Sequence, residues 1–421
     1  MTDLADRPAA GTEAPSPADL LGAAERLAPE FATRAPDYDR DAEFPAQDVA
    51  DLRAAGLLGL LVPTRLGGTG AGFLDYTRVA VALARGSAAS ALVFNMHASF
   101  TGSLSGVPEE LARSLGAPES FFATRDKVLR AAAEGALYGV AITEREAGSR
   151  LSSMRTTYRR EGEGYRIQGT KSVTTGAGRV DAALVAARAA DAGEGEDPRI
   201  SYFLVPQGPG VEVQESWDPL GMRATASHGV VLDTVVPADA LVGGIEGLAV
   251  LMAYALPQWL VASYAAVYVG VALAVIDESV AYLQRRVTHA TGGGAGQASQ
   301  GALTGLAAVR ARIGRAEAQA QAARLVLEEA GRMVDAAPGE PETNRMVYRS
   351  KLLAGDTAME VAATCTEACG LGALGRGSAL ERLYRDARSG AVMPPSSDVC
   401  ADVLGTVALG LDPYAAAVKP W

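Results

Sequence analysis

Gly164-Tyr165-Arg166-Ile167-Gln168-Gly169-Thr170-Lys171-Ser172-Val173-Thr174-Thr175-Gly176 is the stretch on which the reading of this chain turns. Tyr165 and Ile167 alternate with Arg166 and Gln168, the two-residue period of a strand with one covered face. Working outward, Ala182–Ala186, Ser201–Val205 and Gly229–Leu232 are further short runs bounded by Gly, Pro or Asp clusters. Together they predict a small antiparallel barrel or sandwich from Ala136 to about Gly244. Inside it, the Gly- and Asp-rich residues 190–198 read as an exposed hairpin loop.

On either side the apolar period lengthens. Leu20, Leu21, Ala24 and Leu27 recur at helical spacing, and Asp51–Leu58 reads as a helix punctuated by Gly56. Beyond Leu248, Asp277–Gln284 and Ala307–Met333 are strongly helical, with the glycine-rich Thr291–Gln300 between them as a mobile loop. The expected organisation is a disordered tail (1–16), a helical domain (17–135), a β domain (136–244) and a second helical domain (245–421). Gly247–Val275 is the longest apolar stretch. Pro257, Gln258 and several tyrosines interrupt it, so it is expected to be a buried core helix and not a membrane span.

At 421 residues the chain is long enough for two or three packed domains, and 48% hydrophobic residues suit a globular protein. A net charge of −11 argues against nucleic acid as a partner, since a phosphate-binding surface needs a basic field. Three cysteines, Cys365, Cys369 and Cys400, lack CxxC spacing and have no histidine nearby, which predicts buried packing in a reducing, cytoplasmic compartment. Gly370-Leu371-Gly372-Ala373-Leu374-Gly375 matches GxGxxG, but a helical segment, Ala354–Ala368, precedes it where a dinucleotide fold needs a strand. It reads as a loop that ends a helix.

Four ordered motifs then carry a resemblance. Ala141-Ile142-Thr143-Glu144-Arg145-Glu146-Ala147-Gly148-Ser149 comes first and the Gly164–Gly176 run second. Leu220-Gly221-Met222-Arg223-Ala224-Thr225-Ala226-Ser227 follows, and Leu380–Arg388, containing Arg385-Asp386-Ala387, closes the set. The chain resembles the acyl-CoA dehydrogenases over residues 18 to 412. The resemblance implies an α-helical N-terminal domain, a middle β domain and a C-terminal four-helix bundle, assembled as a homodimer or homotetramer. It implies FAD as cofactor and an acyl thioester of CoA or a carrier protein as partner. By the same resemblance Ile142, Thr143, Gly148 and Ser149 contact the isoalloxazine or the thioester, and Val173, Thr174 and Thr175 lie behind the ring. Arg286, Glu367 and Gly370 align with residues at the pyrophosphate, and Ser396 with a residue near the flavin.

There are departures from the family pattern. Val173 replaces a tryptophan, His289 an aromatic residue, Glu367 a glutamine, and Arg150 the aspartate that closes the first motif. The most consequential lies at the base. Family members remove the α proton with a glutamate after the Arg-Asp-Ala run, and that position is Pro394 here. A second position used by some members falls at Leu260, and Asp398 is four residues past Pro394. His97, within Phe94–Phe100, has two readings, a satisfied wall histidine or a substitute base. A positioned base is worth roughly 10²–10⁴ in rate. The leading expectation is a specialised, biosynthetic FAD-dependent oxidoreductase of acyl thioesters. The alternatives are a flavin monooxygenase, for which the glutamate is dispensable, redox-neutral elimination or cyclisation, and a flavin-free paralogue.

Overall fold

The computed structural model describes residues 15–193, 196, 198–289 and 300–413. The proposed tail therefore lies almost wholly outside the described residues, as do most of the Thr291–Gln300 loop and part of 190–198. The chain opens with helices α1 (Pro17–Asp41), α2 (Ala46–Ala54), α3 (Phe73–Gly86), α4 (Ala88–Ser105), α5 (Glu109–Ser114) and α6 (Glu119–Ala133). Ser16 and Asp19 form a reciprocal capping box that starts α1. α2 stops short of Leu57 and Leu58, which sit in a 3₁₀ turn after Gly56 takes φ +74°.

The middle domain holds β1 (Tyr138–Ala141), β2 (Thr157–Glu161), β3 (Gly164–Lys171), β4 (Ala182–Ala189), β5 (Ser201–Pro206), β6 (Val211–Gln214) and β7 (Gly229–Pro237). β2–β3–β7–β6 and β4–β5 pair antiparallel, as the hairpin-like punctuation suggests. The all-antiparallel expectation needs one correction, because β1 and β2 both run parallel to β4 along successive halves of its edge. β1 is delivered by α6 and β2 by the long turn after β1, so neither is joined to β4 by a hairpin that would reverse its direction. Tyr158, Tyr165, Ile167 and Phe203 fill a separate core inside this domain.

The second helical part comprises α7 (Ala249–Ala255), α8 (Ala262–Arg285), α9 (Ala307–Ala336), α10 (Pro341–Cys369), α11 (Ala379–Val392) and α12 (Ser397–Ala408), with a small β8 (Val287–His289)–β9 (Gln300–Ala302) ladder between α8 and α9. Gly247–Val275 is not one helix. Pro257 supplies no amide donor, and Leu256 before it leaves helical geometry, so the stretch breaks into α7, a 3₁₀ turn and α8. Pro257–Arg285 is long and apolar enough to cross a membrane, yet 78% of its apolar window is buried in the fold, where it serves as a core helix. Gly270 lets α8 close on α3, since a Cβ there would lie 2.5 Å from Ala84 Cβ. The helices of both ends thereby share one core, running from Leu20 to Val403.

Candidate active site

A cavity of about 350 Å³ opens where α4, α8, α11 and the β domain meet. α4 is buried along most of its length and offers Leu92 and Met96, one turn apart, to this space. The turn after β1 contributes Ile142, Thr143 and Ser149, and the segment after β3 contributes Val173 and Thr175. α11 and the loop beyond it bring Ser389, Val392, Met393 and Pro394, while Leu260 enters from the break before α8. The two positions expected to hold a base are therefore both at the cavity wall, as Leu260 and Pro394. No Asp, Glu, His, Lys or Arg lines it among the described residues.

His97 does not line it. Its Nε2 lies 2.8 Å from the Leu58 carbonyl oxygen, to which it donates, and its Nδ1 accepts from the Tyr138 amide at 3.2 Å. The ring also stacks on Tyr138 at 5.7 Å. Burial pushes its pKa down to about 4, so it is neutral at pH 7 with both nitrogens occupied. That geometry corrects the substitute-base reading: His97 joins α4 to β1 and has no lone pair left for a substrate proton. Asp398 is exposed in the first turn of α12 and is likewise absent from the wall.

Two buried ion clusters fix the wall, and the sequence reading assigned neither. Glu144 accepts from the amides of Arg155 (2.7 Å) and Thr156 (3.0 Å) and from Lys171 Nζ (2.8 Å). Burial works to raise the Glu144 carboxyl, but the Lys171 charge and these donors overcome it and hold it below its ordinary value. Burial brings Lys171 down to about 8, which still leaves the pair charged at pH 7. This pair pins the turn carrying Thr143 and Ser149 to β3. At the opposite wall Asp386 accepts from the Met222 amide at 2.6 Å, and Arg385 bridges Asp39 and Glu381. The loop docks so closely that a Cβ on Gly221 would fall 2.3 Å from Arg385 O. The Arg-Asp-Ala run is thus a clamp that positions α11.

The residues expected at the cofactor fall into two groups. Ile142, Thr143, Ser149, Val173 and Thr175 line the cavity, Gly148 turns beside them at φ +60°, and Thr174 is buried behind with its Oγ1 unpartnered. Small hydroxyls and an orphan donor among apolar contacts suit the polar edge and faces of a flavin ring. Arg286, Glu367, Gly370 and Ser396 do not border this cavity. Arg286 lies over the Tyr282 ring at 5.0 Å, and a Cβ on Gly372 would be 2.8 Å from its Nη2. The Tyr282 hydroxyl is buried without a partner. A guanidinium, an open glycine loop and an unpaired hydroxyl fit a phosphate. Glu367, 3.4 Å from Arg312, adds a carboxylate at the edge of the Gly370 loop. Ser396 instead caps α12, accepting from the Val399 amide. Gly370 ends α10 at φ +78°, as a helix-ending loop requires.

Family profiles for the acyl-CoA dehydrogenase N-terminal, middle and C-terminal domains match residues 21–110, 139–235 and 259–408. The chain belongs to the acyl-CoA dehydrogenase family. It is 29% identical over 378 residues to the putative acyl-CoA dehydrogenase YdbM of Bacillus subtilis (strain 168), covering 89% of this chain and 92% of that one. It is 30% identical over 433 residues to the amino sugar nitrososynthase DnmZ of Streptomyces peucetius, covering 97% of each. Among solved structures, KijD3 in complex with FMN and dTDP-3-amino-2,3,6-trideoxy-4-keto-3-methyl-D-glucose superposes with TM-score 0.80 at 26% identity, covering 98% of each chain. This acyl-CoA dehydrogenase family member is a flavoenzyme by these relationships and by the fit of its cavity.

Proposed function

We propose that this chain is a flavin-dependent monooxygenase on the acyl-CoA dehydrogenase fold. The observation that carries the reading is the pair Leu260 and Pro394, two apolar residues at the cavity wall in the two positions where the family resemblance implies a base. Desaturation of an acyl thioester requires removal of a poorly acidic α proton, and without a base it forfeits roughly 10²–10⁴ in rate. Oxygen insertion has no such demand. Full-length similarity to an amino sugar nitrososynthase, whose named product class carries an inserted oxygen, supports the same reading.

Bound reduced flavin would supply two electrons and the site of oxygen activation. The balance is substrate, O₂, two electrons and two protons giving oxygenated substrate and water, with the electrons from an external reductant. Thr143 and Ser149 would hold the ring's polar edge, with Thr174 behind them, and Thr175, bonded to Ser227 at 3.0 Å, keeps the segment after β3 in place. Leu92, Met96, Val140 and Met393 would exclude water from the reacting atoms, and among the described residues no carboxylic acid lines the wall to deliver stray protons.

The test is anaerobic titration of the flavin-loaded protein with C8–C16 acyl-CoA, followed by reduction with dithionite and admission of ¹⁸O₂ in the presence of amine and thioether substrates. The reading predicts no thioester-driven bleaching, and ¹⁸O in product after reduction. Rapid bleaching by acyl-CoA with no label incorporated overturns it.

A further inference from the structure

Among the described residues that line the cavity, Tyr202 carries a buried hydroxyl with no hydrogen-bond partner. Strand alternation on β5 sends Phe203 and Val205 into the β core and Tyr202 toward the helices. There Tyr202 borders both the main cavity and a second, smaller pocket, lined by Phe100, Leu104, Met252 and Leu256 with Ser99 and Ser103. Val140 and Leu260 are the other residues common to the two spaces, and none of the residues expected at the flavin reaches the second one. Tyr202 thus lines the same two spaces as Leu260.

Its neighbours have partners. Trp217 Nε1 donates to Met222 O at 3.2 Å, and Thr175 is bonded to Ser227. The Tyr202 hydroxyl, on a residue only 4% exposed, has none. Burial raises its pKa further above the ordinary phenol value, so it is a donor and not a base. A buried donor with nothing to meet is costly, and the natural answer is a bound acceptor.

We propose that Tyr202 anchors the substrate: its hydroxyl donates a hydrogen bond to a carbonyl oxygen of an otherwise apolar substrate, and its ring closes the second pocket. The proposal deepens the monooxygenase reading and rests on it only in taking this cavity as the substrate chamber. Val140 and Leu260 are the other two residues shared by the two spaces and both are apolar, so Tyr202 is the one polar residue at their junction, which favours a single acceptor there.

The test uses a shape-matched pair, 1-indanone and indane, bound to the flavin-loaded protein without reductant or oxygen. Binding is read from the flavin absorbance shift and the rise in melting temperature. Tyr202→Phe should lower the indanone-to-indane affinity ratio about tenfold relative to the native protein. Tyr202→Leu should do the same and covers the case in which the first variant fails to fold. An unchanged ratio in either folded variant, or a native protein that binds neither probe, overturns the proposal. Turnover plays no part, so a fallen ratio without ¹⁸O transfer would sink the monooxygenase reading alone.

Discussion

At His97 a donor and an acceptor of the backbone meet one imidazole, and the whole side chain is spent on that junction. Its folded pKa of about 4 lies below the ordinary 6.5. Between those values the unfolded chain takes up a proton that the folded one refuses. Stability from this site is full above pH 6.5 and falls, by on the order of 3 kcal/mol, as pH drops toward 4. His97→Gln should flatten that part of the pH–stability curve while leaving oxygen-dependent turnover within about twofold. A large loss of turnover with an unchanged curve would contradict the assignment. Phe94–Phe100 could not reveal this in sequence, because Met96 and His97 are adjacent and only the helix phase decides which one reaches the cavity. Pro394 and Leu260 could be registered from the neighbouring motifs alone, and both lie at the cavity wall.

Among elements, the turn after β1 is held by Glu144 and Lys171, 2.8 Å apart and almost fully buried. Lys171→Met leaves a buried carboxylate uncompensated and should cost about 3–5 kcal/mol in urea unfolding. Adding Glu144→Gln should recover much of that loss; a double variant as unstable as the single one would show that the pair is not the cause. α11 carries a second element-scale device. Burial raises Asp386 to about 6, above its ordinary 3.8. The stability linked to it is therefore present below the unfolded value and lost as pH rises through 6, on the order of 2–3 kcal/mol. Asp386→Asn should abolish that slope in the pH dependence of the melting temperature, opposite in sign to the His97 effect. Periodicity revealed β3, β4, β5 and β7 in sequence, because each has one covered face. It did not reveal the parallel edges of β4, whose direction is set by long connections, nor the break at Pro257.

Across the whole molecule, the motifs fixed the order of helical, β and helical parts, and the structure adds that both helical parts share a core which Tyr138, Leu184 and Tyr202 of the β domain also enter, while the rest of that domain packs a second one. The residues expected at the cofactor do not all meet in one place, because Arg286 and the Gly370 loop lie at the ends of α8 and α10, away from the cavity. We propose that Arg286 and this loop meet the phosphate of a flavin in a neighbouring subunit. Arg286→Ala should then raise the flavin dissociation constant roughly tenfold or more in equilibrium dialysis, with cavity-probe binding by the remaining holoenzyme unchanged. The base-free cavity is the feature on which the functional account stands. Its most direct measurement is deuterium uptake at the α carbon of octanoyl-CoA, incubated anaerobically with the flavin-loaded protein in D₂O. The account predicts uptake no faster than in buffer alone; enzyme-dependent exchange at that carbon would contradict it.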